Sequence, residues 1–260
     1  MFLKLFKYDF KSIIKKIVYY YIILIAVAIF AKIIDLLLTN TDFFFLAYFP
    51  RMIYIMAMSS GLTVALILCM IRYYKNMLSD QGYLTHTLPV KRSHILLAKL
   101  LATLVIEAIT ILVMLLSIII YSINWIPDII NFIKELFAEM AVYPETAHVV
   151  GIIIFVVFIM IFGTVFSVSY VSLCLTLGAT HNKNKLVMSF VYYMVINFVM
   201  QIFYVIIGVI GVLILSSGNI EFSFGLLYLI LTLICIGEIA LTVIAYFVNL
   251  MFLNKKLNLE

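Results

Sequence analysis

Long apolar segments alternate with short polar connections along this chain. Each segment reaches the roughly 20 apolar residues that a helix needs to cross a membrane. The six segments cover residues 17–38, 50–71, 97–123, 149–178, 187–215 and 225–252. The pattern therefore predicts an all-α, polytopic membrane protein with six transmembrane helices, built as a single transmembrane domain over residues 1–260.

A basic, amphipathic segment precedes the first apolar segment. In residues 1–16, apolar side chains recur at helical spacing and lysines occupy the opposite face: the apolar set is Phe2, Phe6, Phe10, Ile13 and Ile14, and the basic set is Lys4, Lys7, Lys11 and Lys15. A helix of this kind lies in the membrane interface, and we predict an interfacial helix here. A simple positive anchor, or a helix that inserts into a neighbouring subunit, fits the same pattern.

Short-range patterns inside the first two spans predict specific contacts. Lys32 and Asp35 stand three residues apart, a spacing at which opposite charges pair on a helix. Ala57, Gly61 and Ala65 form a ridge of small residues, which allows two membrane helices to approach closely. The ridge is compatible with a dimer interface and with packing inside the chain.

The outer connections and the fifth span hold two further elements. The pattern of residues 124–147 predicts an amphipathic helix with Pro127 at its first position, which Pro144 ends. It is either a surface helix or a lid over an outer vestibule. Gly208 and Gly211 interrupt the fifth span, so a broken helix or a re-entrant piece over residues 208–224 is a second prediction.

Composition excludes a soluble protein. The chain is 67% hydrophobic and 11% charged, whereas soluble domains are roughly 45–50% apolar and about 25% charged. The net charge of +5 does not indicate nucleic-acid binding, because the basic residues stand at the ends of the spans, where they face anionic lipid headgroups.

The distribution of basic residues predicts the orientation of the spans. Of the 17 Lys and Arg residues, 14 fall in the two termini and the even-numbered connections, and Lys32, Arg51 and Lys134 fall on the opposite side. Because cytoplasmic loops carry the excess of Lys and Arg, we predict that both termini are cytoplasmic and that the protein is a multi-pass component of the cytoplasmic membrane.

Sequence motifs for nucleotide hydrolysis, metal binding and nucleophilic catalysis are absent. The chain has no P-loop, no His-Glu-x-x-His and no Gly-x-Ser-x-Gly. Its three cysteines, Cys69, Cys174 and Cys235, are isolated in apolar segments, which favours a packing role over a disulfide or a metal site. We therefore expect no catalytic residue, no metal and no cofactor.

Two carboxyl side chains stand deep in apolar spans. Glu107 lies in the third span and Glu238 near the middle of the sixth. A charge at the centre of a membrane costs roughly 2.5–3.5 kcal/mol on insertion scales, so each is expected to face protein or water. They are candidates for the substrate path or for a proton-sensitive switch, and a protonated carboxyl bonded to a neighbouring hydroxyl is the structural alternative.

The longest polar interruption, residues 72–96, has features of a coupling loop. Ser79 suits a helix N-cap and Asp80 a helix N-terminus, and Pro89 prevents Leu88 from continuing a helix. A short helix from Asp80 to Leu88 is therefore predicted, with Tyr83 and Leu84 as an apolar knob.

The same connection resembles a known family. Asp80-x-Gly82, Leu88-Pro89-Val90, Arg92, Ile95 and Lys99 are similar to the acid-x-Gly … Pro-Val-x-Arg-x-x-Ile-x-x-x-Lys signature between spans two and three of ABC-2-type transporter permeases. The resemblance extends to the N-terminal amphipathic helix, the six spans and the cytoplasmic termini. In that family the main extracytoplasmic element usually precedes the last span, whereas here it follows the third.

The resemblance implies the membrane subunit of an ATP-driven exporter for an amphiphilic peptide, lipid or drug-like substrate. Two permeases, identical or different, pair, and separate ATP-binding cassette subunits dock on the loop. The implied contact residues are Asp80, Gly82, Tyr83, Leu84, Leu88, Pro89 and Arg92. The sequence leaves open a non-transporting scaffold or immunity-type protein that sequesters a peptide or anchors a partner. An ion-coupled carrier using Glu107 and Glu238 is a third possibility.

Overall fold

The computed structural model of this chain describes residues 2–38, 44–79, 81–87, 89–142, 144–181, 184–216 and 224–255. In this part of the chain 94% of the residues are helical and no strand is found. The α-helices are α1 (Phe2–Leu38), α2 (Phe44–Ser59), α3 (Gly61–Met77), α4 (Gln81–His86), α5 (Arg92–Tyr121), α6 (Ile126–Val142), α7 (Pro144–Gly178), α8 (Lys185–Ser216) and α9 (Phe224–Lys255). A single 3₁₀ turn, Ile123–Trp125, leads into α6.

Six stretches of the described chain are long and apolar enough to cross a membrane, which confirms the predicted class and span number. They are Phe2–Leu37, Tyr48–Met77, Arg92–Tyr121, His148–Gly178, Lys185–Ile202 and Leu227–Asn254. Large aliphatic and aromatic side chains are exposed along all of them. In a protein that spans a membrane, lipid tails cover such surfaces. The chain is therefore a multi-pass, all-α membrane protein.

The N-terminal amphipathic segment and the first span form one continuous helix. α1 contains 37 residues and is therefore about 55 Å long at 1.5 Å per residue, more than the roughly 30 Å of a hydrocarbon core. No break separates residues 1–16 from the span in the described part of α1. The lysines at 4, 7, 11 and 15 are exposed, and an interfacial position for this half stays a prediction.

The second span consists of two helices that meet at Ser60. α2 ends at Ser59 and α3 begins at Gly61. A Cβ at Gly61 would lie 2.9 Å from Met114 Sδ of α5, which is closer than ordinary packing allows. Ala65, one turn further on, is fully buried. Gly61 and Ala65 of the small-residue ridge therefore pack inside the chain, as one of the two interpretations predicted.

Two compact units divide the chain, and the first combines Met1–Tyr73 with His94–Val142. Its core joins α1, α3 and α5 through the buried residues Ile13, Ile17, Tyr21, Ala65, Cys69 and Ile106. A second cluster joins α1 and α2 through Ala28, Ala31 and Tyr54.

In this unit α6 exposes apolar residues such as Phe132 and Phe137 together with Lys134 and Glu135. A surface helix and a lid therefore both remain predictions.

The second unit combines Tyr74–Ser93 with Tyr143–Glu260. α7 packs along both α8 and α9. Between α7 and α9, Thr176 Oγ1 donates to Asn249 Oδ1 at 2.8 Å and Asn249 Nδ2 donates to Ser172 Oγ at 3.0 Å. These buried side chains satisfy one another across the helix pair, as polar groups in membrane helices do.

Two sequence-based predictions about the spans are corrected. Asp35 pairs with Arg51 of α2, whose Nε lies 2.6 Å from Asp35 Oδ1, and Lys32 instead lies over the ring of Tyr121. α8 runs without a break through Gly208 and on to Ser216, so the predicted interruption at that glycine is wrong. Residues 217–223 lie outside the described part of the chain.

Candidate functional site

The connection between α3 and α5 contains a short helix, as predicted, but this helix has fewer residues than expected. α4 covers Gln81–His86, whereas the sequence predicted a helix from Asp80 to Leu88. Asp80 and Leu88 themselves lie outside the described residues. The backbone N–H of Thr87 donates to the carbonyl of Tyr83 at 3.1 Å, which closes the last turn before Pro89.

Ser79 connects α3 to α4 in a different way from the prediction. Its hydroxyl donates to the carbonyl of Lys75 at 2.6 Å, at the end of α3. Its own carbonyl accepts the N–H of Gly82 at 2.6 Å. The Ser79 side chain therefore ties the connection to α3, and the backbone of the same residue holds the first turn of α4.

α4 exposes two large apolar side chains. Tyr83 is 64% exposed and Leu84 is 69% exposed, whereas Gly82 is buried. Pro89 is exposed after the helix. Among the predicted contact residues, Tyr83, Leu84 and Pro89 are therefore available to a partner, whereas Gly82 is buried.

Arg92, which the resemblance implies as a contact residue for the ATP-binding subunit, binds a backbone carbonyl of this chain. Its Nη1 donates to the carbonyl oxygen of Leu253 near the end of α9. The last four carbonyls of a helix have no partner inside the helix, so a guanidinium suits this place. The bond joins the start of α5 to the end of α9 within the second unit.

Glu238 lies at a close approach of α7 and α9. One of its carboxyl oxygens, Oε1, lies 3.5 Å from the place that a Cβ would occupy at Gly163. The other oxygen, Oε2, is buried and makes no hydrogen bond with any residue that the structure describes. The second predicted path residue, Glu107, belongs to the first unit and is 3% exposed, and its Oε1 likewise lacks a partner among the described residues.

A buried ion cluster in the first unit was missed by the sequence analysis. The Asp9 carboxylate of α1 accepts Arg72 Nε of α3 at 2.9 Å and Lys99 Nζ of α5 at 3.0 Å. Arg72 Nη1 also donates to Ser12 Oγ. One signal was available, because Asp9 is the sole acid in the first 34 residues and interrupts an otherwise basic helix.

A small cavity borders this cluster. Its volume is about 10 Å³, and its walls are formed by Asp9, Ile13, Cys69, Arg72, Tyr73, Lys99 and Thr103. A cavity of this size holds about one water molecule when its walls are polar. The cluster and its cavity therefore form an ionic site between three helices of the first unit, with room for about one water molecule.

Comparisons with known proteins give no external assignment: no family model, curated protein or solved structure matches this chain. The arrangement of its own residues must carry the functional argument.

Proposed function

We propose that this chain is the transmembrane permease subunit of an ATP-driven exporter in the cytoplasmic membrane. Two such permeases, identical or different, would pair, and a separate ATP-binding cassette subunit would dock on each connection over residues 72–96. The exported substrate would be an amphiphile, such as a peptide, a lipid or a drug-like molecule. ATP hydrolysis belongs to the partner, because the chain itself has no nucleotide-binding motif.

The observation that carries the proposal is α4 with its two exposed apolar side chains. Tyr83 and Leu84 are each more than 60% exposed on a short helix between two spans. Aromatic side chains at the centre of an interface commonly supply most of its binding energy. A partner subunit with an apolar pocket would cover both side chains, and α4 would be the element that it moves.

The attachments of α4 suit the transmission of such a movement. Ser79 holds the start of α4 to the end of α3, and Arg92 holds the start of α5 to the carbonyl of Leu253 in α9. A force on α4 would reach α3 through the bonds of Ser79. It would reach α5 along the chain itself, and the Arg92 bond would pass it on to the end of α9. Glu238, between α7 and α9, would respond to this movement as part of the substrate path.

Co-purification with a partner tests the proposal. The tagged chain would be co-expressed with ATP-binding cassette subunits encoded in the same genome, and we expect one of them to purify with it and to hydrolyse ATP. Tyr83→Ala combined with Leu84→Ala should abolish recovery of that subunit. Phe132→Ala is the matched control, because Phe132 is 62% exposed on α6 and lies outside the connection.

The scaffold and immunity-type alternative predicts a different result. A scaffold would remain folded and bound to its own partner, without stimulation of ATP hydrolysis by any amphiphile. If the double variant and the Phe132 control both retain the ATP-binding subunit equally, the connection is not the docking site and the proposal fails.

A further inference from the structure

The polar side chains of α5 lie on one face of that helix. From residue 99 to residue 121 they are Lys99, Thr103, Glu107, Thr110, Ser117 and Tyr121. At about 100° per residue they fall within an arc of about 80°, and all but the last are buried. We call this set the α5 polar face.

The α5 polar face is as long as a membrane is thick. Its two ends are 22 residues apart, which corresponds to about 33 Å along a helix. The hydrocarbon core of a bilayer is about 30 Å thick. The α5 polar face is therefore long enough to reach across a hydrocarbon core, and its longest interval, between Thr110 and Ser117, is about 10 Å.

Side chains of α1 and α2 complete this face at four levels. Lys99 binds Asp9, and the hydroxyls of Tyr21 and Thr110 are joined by a hydrogen bond of 2.7 Å. Further along, the hydroxyls of Tyr54 and Ser117 are joined at 3.1 Å. At the far end the Tyr121 hydroxyl donates to Asp35 Oδ2 at 2.6 Å. Carboxylates thus stand at both ends, and paired hydroxyls stand between them.

Glu107 in the middle of the face does not fit a purely structural role. The hydroxyls of Thr103, Thr110 and Ser117 each donate to a backbone carbonyl of α5 itself. Their hydrogen bonds are therefore satisfied without the Glu107 carboxyl. Only 3% of the surface of Glu107 is exposed, and its Oε1 has no hydrogen-bond partner among the described residues. A carboxyl in this state costs free energy, and such a cost is tolerated where the group has a function.

From this geometry we propose that the first unit carries a proton path along the α5 polar face, with Glu107 as the group that binds and releases the proton. A proton enters from the Asp9–Lys99 end through the cavity beside Thr103 and adds to a carboxylate oxygen of Glu107. It leaves toward Asp35 by way of the Tyr21–Thr110 and Tyr54–Ser117 hydroxyl pairs. Transfer between the two pairs requires water molecules that enter the intervals during the passage. One O–H bond forms at Glu107 and one breaks in each passage, so the reaction needs no other reactant.

Few titratable side chains surround Glu107 in the part of the chain that the structure describes. Tyr21 of α1 and Cys69 of α3 are the titratable side chains close enough to sense its charge. Lys99, two turns away from Glu107 on α5, forms its ion pair with Asp9. The path does not depend on the exporter proposal, because a passive flux of protons requires no ATP-binding partner.

Proton flux into vesicles tests the path. The purified chain would be reconstituted into vesicles of phosphatidylcholine and phosphatidylglycerol that contain K⁺, and valinomycin would then set an inside-negative potential. A pH-sensitive dye reports the protons that enter. We expect the wild-type chain to acidify the vesicles faster than protein-free vesicles do, and Glu107→Gln to lose this flux completely.

Two further variants separate the path from a general leak. Glu135→Gln changes a carboxyl on exposed α6 and should conduct like the wild type. Thr110→Val removes the hydroxyl that binds Tyr21 at nearly constant volume and should reduce the flux. A wild-type flux equal to that of protein-free vesicles, or full flux in Glu107→Gln, would overturn the proposal.

Discussion

Lys99 and Asp9 form a buried ion pair in which Lys99 Nζ lies 3.0 Å from Asp9 Oδ2, although they are 90 residues apart in the sequence. Both side chains are more than nine-tenths buried. The pair holds α1 against α5, and Arg72 of α3 binds the same Asp9 carboxylate. Loss of the single carboxylate would leave two cations without their partner.

We therefore predict that Asp9→Asn strongly destabilises the protein. Removing one member of a buried ion pair costs about 3–5 kcal/mol, since the other charge stays buried without compensation. Thermal unfolding in detergent micelles measures the effect. Asp9→Asn combined with Lys99→Met should recover much of the loss. Asp128→Asn on exposed α6 is the control, and equal stability of Asp9→Asn and this control would contradict the structure.

Close packing at the joint of α2 and α3 gives a second prediction. A methyl group at Gly61 would displace the flexible side chain of Met114, and overpacking that a flexible neighbour can relieve costs about 1 kcal/mol, the low end of the usual range. Gly61→Ala should therefore lower the unfolding temperature, and Met114→Ala added to it should restore part of the loss. Gly208→Ala serves as the control, because a Cβ there meets nothing within 4 Å. A similar effect of both alanines would argue against the α3–α5 contact.

The bond between Arg92 and the end of α9 gives a third prediction. A hydrogen bond from a charged group contributes about 1.5–3 kcal/mol, and here it holds the last turn of α9. Arg92→Gln should increase amide hydrogen exchange in that turn, around Leu253. Lys91→Gln, a change at the exposed neighbour, should leave exchange unchanged. Equal protection in both variants would show that the guanidinium does not hold α9.

The orientation of the spans rests on the distribution of basic residues and is tested by cysteine labelling. Glu135→Cys on α6 should react with a membrane-impermeant maleimide in intact cells, whereas Lys4→Cys should react only after permeabilisation. Both positions are exposed, so burial does not affect the comparison. Labelling of Lys4→Cys in intact cells would reverse the predicted topology.

Properties that depend on local pattern were predicted well from the sequence. The six spans follow from apolar length alone, since a lipid environment requires about 20 apolar residues in each helix. The helix between α3 and α5 follows from local signals around Ser79 and Pro89, although it ends at His86. The joint at Ser60 was not predicted, because Gly61 permits both close packing and a change of helix direction.

Long-range pairings were not predicted, because sequence spacing reports only neighbours on the same helix. Lys32 stands at a favourable spacing for Asp35, but Arg51 reaches the same carboxylate from α2. Asp9 looks like an isolated acid on a basic face until α3 and α5 bring Arg72 and Lys99 to it. The residues that surround Glu107 could not be predicted from the sequence for the same reason.

Docking of an ATP-binding subunit on α4, as we propose, can be detected by photo-crosslinking. A photo-reactive amino acid would replace Leu84, which is 69% exposed, and a second variant would carry it in place of Phe132 on α6. After co-expression and irradiation in intact membranes, we expect a crosslinked product of the chain and an ATP-binding cassette subunit from position 84 and none from position 132. Crosslinking of position 84 to lipid alone, with no ATP-binding subunit in any product, would contradict this proposal.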